Sequence, residues 1–225
     1  MARSNLILLG GIATVVAGVF SFCVTAFYIL LLMSEGAIPM LVPPLLTLGG
    51  ILTAFLYVLG LVGLHALSGG RSGMGTAGLV LAVLAFGTTL LPWAFGVAYA
   101  LYQVIFLSRT VVATSAMIFP QVAVGLLGDA LLAGGILLLA VVALRARALG
   151  RWTFLPFVLA FLYAFPIPLW AAINLGFEIP LPLPPSPALL VGPFWVLLGT
   201  VLWRRASGMR TGGAISAHDG GARRA

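Results

Sequence analysis

Six long apolar stretches, separated by short polar breaks, leave this chain one kind of medium in which to fold. Each is close to the ~20 residues an α-helix needs to cross a hydrocarbon core about 30 Å thick. Inside such a core every backbone N–H and C=O must be satisfied by protein, which restricts the chain to helices or a closed barrel. The runs are continuous and lack the alternation that barrel strands require, so a barrel is excluded. The expected fold is all-α, a polytopic membrane helix bundle of six transmembrane helices.

The polar breaks then orient that bundle. Arg3 precedes the first stretch, and Arg71 separates the second from the third. Arg145, Arg147 and Arg151 cluster between the fourth and fifth, and Arg204, Arg205, Arg210, Arg223 and Arg224 follow the sixth. The alternate breaks hold Glu35, Arg109 and Glu178. Ten of the eleven basic residues thus fall on one side of any membrane the chain crosses, and the positive-inside bias makes that side, with both termini, cytoplasmic. Trp152 and Trp203 beside these arginines, and Trp170 near the far end of the fifth stretch, match interfacial aromatic belts.

Local signals give the boundaries. The first span, 6–33, starts behind Ser4 or Asn5 as an N-cap, and its apolar run is about twice the length of a signal-peptide core, so it is expected to be an uncleaved helix. The second starts behind Pro43 and Pro44 and ends at Ser68, Gly69 and Gly70. The third, 76–107, is roughly 48 Å long at 1.5 Å per residue and contains Pro92. The fourth covers 120–144. The fifth, 152–175, carries Pro166 and Pro168, which remove helical hydrogen bonds to the carbonyls of Leu162 and Ala164. A proline-rich outer loop of polyproline type, 178–187, leads to a short sixth span, 188–203, with Pro193. Residues 1–203 form a single six-helix transmembrane domain, and 204–225, rich in Gly, Ala, Ser and Arg, is expected to be a disordered basic cytoplasmic tail.

Composition supports this reading and narrows the function. Hydrophobic residues make up 62% of the chain and charged residues 7%, against about 25% charged in soluble domains. The net charge of +7 is distributed over every cytoplasmic break, so nucleic acid is not an expected partner. The lipid bilayer is, with anionic lipid drawn to the C-terminal arginines. Cys23 stands alone, which excludes an internal disulfide or a cysteine-based metal site. No lysine-bearing phosphate loop, metal-ligand spacing or hydrolase triad appears, so no cofactor, metal or catalytic residue is expected.

Asp129 is the one Asp, Glu or Arg side chain placed inside a span. Counted back from Arg145, it lies roughly 6 Å below the outer edge of a 30 Å core. Gly125, Gly128, Asp129 and Ala133 share a helix face by i+3 and i+4 spacing, and such small-residue faces pack against other helices. Asp129 is therefore expected to face protein. Its functional reading is a proton, cation or substrate site with Gln103, Arg109, Gln121 and Asn174 as outer-side partners; its structural reading is an ion pair or hydrogen bond, for example to Arg109. Pro166 and Pro168 add a helix break whose freed carbonyls could serve a substrate. His65, near the inner end of the second span, is expected to be a satisfied helix-end residue.

The segment GLVGLHALSGGRSGMGTAG at 60–78 and the segment ALRARALGRW at 143–152 resemble the cytoplasmic turns of uncharacterised bacterial six-transmembrane-helix membrane proteins. That resemblance implies the six-helix fold and no assigned activity. The arginine-only basic composition is similar to that of GC-rich bacteria and implies a plasma membrane location. The first reading of function is a non-enzymatic accessory, regulatory or structural component. The second is a small permease or ion/proton-coupled transporter using Asp129 and the Pro166/Pro168 break, which requires a polar cavity reaching inward from the outer face. A membrane enzyme would need polar residues of several spans to converge on one cleft.

Overall fold

A computed structural model describes residues 3–33, 42–70, 72–102, 115–165 and 187–222. They form six α-helices and no strand: α1 (Arg3–Met33), α2 (Val42–Leu67), α3 (Gly73–Tyr102), α4 (Ser115–Arg145), α5 (Phe154–Ala164) and α6 (Pro187–Ala222), with a 3-10 turn at Gly150–Trp152 before α5. Three stretches, Arg3–Phe27, Gly49–Leu67 and Leu126–Arg145, are long and apolar enough to cross a membrane; Gly73–Thr88 and Gly150–Ala164 are shorter apolar helices.

Each helix packs on its predecessor and successor, and α6 closes the ring on α1. Glycine makes these approaches possible. A Cβ on Gly10 would stand 2.8 Å from the Gly63 Cα, and one on Gly18 would stand 2.6 Å from the Gly192 carbonyl. Gly199 meets the Gly11 carbonyl in the same way, and Gly78 the Gly135 carbonyl. Close backbone approach through small residues is how helices associate where no hydrophobic force acts between them and lipid. The pairings Gly11 with Gly199 and Gly18 with Gly192 run in opposite senses, so α1 and α6 are antiparallel.

The surface is as apolar as the interior. Leu30, Phe55 and Phe161 are more than 60% exposed, while Trp195, Leu61 and Ile136 are fully buried beside Ala17, Ala82 and Thr14. A large exposed apolar surface around an apolar core marks a protein whose solvent is not water. Buried hydroxyls are satisfied locally: Thr14 Oγ1 donates to the Gly10 carbonyl at 2.5 Å and Thr53 Oγ1 to that of Gly49 at 2.8 Å.

Two turns bring the basic residues to one end. After α2, the Gly70 N–H bonds the His65 carbonyl, and Gly69 (φ 108°) and Gly70 (φ 66°) take the left-handed conformation that ends helices. Ser72 then caps α3, its Oγ accepting from the Gly75 N–H at 3.1 Å. After α4, Ala148 N–H bonds the Ala143 carbonyl, with Arg147 (φ 48°) and Gly150 (φ 59°) left-handed. Arg3 reaches the end of α2, donating from Nε to the Ala66 carbonyl at 2.8 Å and from Nη2 to that of Leu67 at 3.0 Å. It neutralises acceptors that α2 cannot satisfy itself. Arg3, Arg145, Arg147, Arg151, Arg204 and Arg205 thus stand at the same end of the bundle.

Two boundaries differ from expectation. Helix α1 starts at Arg3, ahead of the expected Ser4 or Asn5 cap, because the Arg3 side chain is anchored on α2. Helix α6 runs to Ala222, over most of the segment 204–225 for which disorder is expected. Its first part past Trp203 still touches the core, with Ala206 fully buried, and no proline interrupts 204–222.

A candidate binding cavity around Asp129

At the end of the bundle away from the arginines, a cavity of about 200 Å³ opens among α1, α2, α3, α4 and α5. Its polar lining comes from Ser21 and Thr25 of α1, Thr53 and Tyr57 of α2, Asp129 of α4 and Tyr163 of α5. Asp129 is half-buried and faces protein, while Gly128 beside it is buried. Along α4 the carboxylate stands about 24 Å from Arg145 at 1.5 Å per residue. Among the described residues it makes no ion pair and no hydrogen bond.

Tyr57 and Tyr163 are the lining residues nearest the basic end, and Trp195 of α6 joins them underneath. Trp195 is fully buried and stacks on Tyr57 with ring centroids 4.3 Å apart and planes 21° from parallel. Its Nε1–H donates to the Tyr163 hydroxyl at 3.1 Å. The Tyr57 hydroxyl lies 3.5 Å from the Ala17 carbonyl, to which it donates. An aromatic layer drawn from three helices therefore underlies the cavity on its basic-end side, and each of its polar atoms has a partner. The result is a mostly apolar recess with several hydroxyls and one carboxylate in its wall.

Such a recess attracts a cation or a proton. The carboxylate supplies charge, the hydroxyls supply donors and acceptors, and Phe20 and Phe86 complete the lining. The volume is below the roughly 300–1,000 Å³ of drug-sized sites, so a single occupant is small. The described lining holds no histidine and no second carboxylate that could activate a hydroxyl as a nucleophile.

Of the residues expected to share this site, only Asp129 has a described side chain. Gln121 lies on α4, roughly 12 Å along the axis from Asp129, with its side chain outside the described residues. Gln103, Arg109, Asn174, Pro166 and Pro168 fall outside the described residues altogether. Tyr57, Tyr163 and Trp195 were not anticipated. They sit on three helices far apart in sequence, and only a shared depth, counted from the arginine breaks, connects them.

At His65 the carbonyl is bonded by the Gly70 N–H, while among the described residues its buried Nδ1 has no hydrogen-bond partner and lies close to Gly75 of α3. A Cβ on Gly75 would stand 2.7 Å from that nitrogen, so the two helices approach closely here.

Fold and cavity define a class: an all-helical, membrane-associated protein with three helices of crossing length among the described residues. Comparison with protein-family models, curated proteins and solved structures finds no match.

Proposed function

We propose that the chain is a six-span, multi-pass protein of a bacterial plasma membrane, with both termini cytoplasmic, and that it acts as a small permease or proton-coupled transporter for a small cationic solute. The observation that carries this reading is the Asp129 cavity. A transporter needs a recess with polar groups reaching inward from the outer face, and here a carboxylate and hydroxyls from four helices share one cavity. Orientation rests on the arginines: with the basic end cytoplasmic, the cavity opens outward. The aromatic layer then serves as the inner barrier that an alternating-access cycle would have to open. The proposed kinship remains with bacterial six-transmembrane-helix membrane proteins, on the 60–78 and 143–152 turns.

The test compares the parent with Asp129→Asn in proteoliposomes loaded with a pH-sensitive dye and given a methylammonium gradient. The two proteins are first matched by thermal unfolding in detergent. The parent is expected to move protons or cation about tenfold faster than the variant, equivalent to about 1.4 kcal/mol at the barrier. Equal rates would sink the reading.

A second reading, a non-enzymatic accessory or structural component, is favoured by the backbone-close packing of α1 on α6. Surfaces held that tightly suit a rigid scaffold better than a pair that must slide. It predicts that Asp129→Asn leaves flux at the level of empty vesicles in both proteins.

A further inference from the structure

The basic end carries a second concavity, of about 460 Å³, between the turn that opens α5 and the outer side of α6. Its rim holds the guanidinium groups of Arg151, Arg204 and Arg205, and its wall is built from Trp152, Leu197 and Val201. Among the described residues no carboxylate lines it. The three arginines are exposed, and Arg151 lies over the Trp152 ring with its Cζ 5.5 Å from the centroid. Gly150, at φ 59°, leaves the space that Arg205 occupies: a Cβ there would stand 2.7 Å from the Arg205 Nη2. The turn between α4 and α5 therefore helps to fix where this guanidinium points.

We propose that this groove is a specific site for one anionic phospholipid, with the phosphate held by Arg151, Arg204 and Arg205 and an acyl chain laid along Val201 and Leu197. Two features select a lipid over a soluble anion. The wall descends from Arg204 to Leu197, about 10 Å along the helix axis, toward the apolar middle of the bundle. Leu197 is also 41% exposed, so the groove runs outward there, where hydrocarbon lies, while the buried Val201 forms its floor. Three guanidiniums without an acidic neighbour match a phosphate, which they can engage in bidentate pairs. Basic pockets between helices at the cytoplasmic surface suit anionic headgroups. The site is separate from the Asp129 cavity and rests only on the membrane reading of the chain.

Native mass spectrometry of the full-length protein in detergent, titrated with phosphatidylglycerol or phosphatidylcholine, tests this. One equivalent of phosphatidylglycerol is expected to stay bound, at least tenfold tighter than phosphatidylcholine. Arg151→Gln/Arg204→Gln/Arg205→Gln is expected to abolish that preference, whereas Arg210→Gln/Arg223→Gln/Arg224→Gln, which removes the same charge from the tail, leaves it within threefold. Equal losses in the two triple variants would overturn the proposal in favour of diffuse attraction. Displacement of the lipid by equimolar inorganic phosphate would overturn it in favour of a soluble-anion site. A second measurement needs no arginine variant: brominated phosphatidylglycerol should quench the parent's fluorescence beyond brominated phosphatidylcholine, and the excess should vanish in Trp152→Phe. An excess that persists would count against the groove.

Discussion

Single side chains carry more of this fold than its apolar bulk suggests. Trp195 holds two tyrosines of other helices, one by its ring face and one by its N–H. Tyr163→Phe removes the acceptor and leaves the Trp195 N–H without its partner. The expected loss is about 1 kcal/mol, as for interhelical hydrogen bonds in membranes, read as a lower denaturation midpoint in mixed micelles. Trp195→Phe, which also loses the larger stacked ring, should cost more; the reverse order would argue that the layer is held by packing around Tyr163 alone. Asp129 was legible as a site residue because an acidic side chain inside an apolar run stands out whatever surrounds it. Its cavity neighbours were not, since a tyrosine or threonine in a span has an ordinary role at nearly any depth.

At the scale of the helix, the question is which glycines matter. The chain has 28 of them, and composition alone makes them interchangeable. The fold separates them by what a methyl group would strike. A Cβ on Gly18, Gly192 or Gly199 would stand 2.6 Å from a carbonyl oxygen of the opposing helix, whereas one on Gly87 or Gly134 would meet nothing within 4 Å. Gly18→Ala and Gly199→Ala are each expected to destabilise the α1–α6 pair by about 1–3 kcal/mol, because backbone atoms cannot step aside. Gly87→Ala and Gly134→Ala should be neutral or slightly stabilising, since alanine is the better helix former. Thermal unfolding of the four variants in one detergent decides this, and indistinguishable midpoints would refute the packing argument. The sequence Gly-Gly-Ile occurs at 10–12, 49–51 and 134–136, and its glycines differ in the same way: Gly11 and Gly135 abut other helices, while Gly50 and Gly134 meet nothing. Helix ends were more legible than helix faces. Ser68, Gly69 and Gly70 were expected to stop α2 and do so, because a left-handed glycine ends a helix by local geometry. The run of α6 past Trp203 was not foreseen, because a polar stretch becomes helical when a core residue such as Ala206 ties it to the bundle.

For the whole molecule, the concentration of described arginines at one end makes a topological prediction. Reporter fusions at Arg147 and after Ala222 should report cytoplasm, and fusions within 103–114 and 176–186 should report the exterior. A reporter at Arg147 exposed outside the cell would reverse the orientation and close the cavity's proposed route from outside. What the sequence determined by itself was the helical class and an apolar make-up suited to a membrane. Those follow from local sums: apolar length against bilayer thickness and backbone hydrogen bonding without water. Only the tertiary structure decided that Asp129 shares a recess with Tyr57 and Tyr163, that Trp195 lies beneath them, and that Arg151 meets Arg204 and Arg205 across a groove. Such meetings depend on how each helix is rotated and how deep it sits against its neighbours. Glycine contacts between helices set both quantities, and no single stretch of sequence contains them.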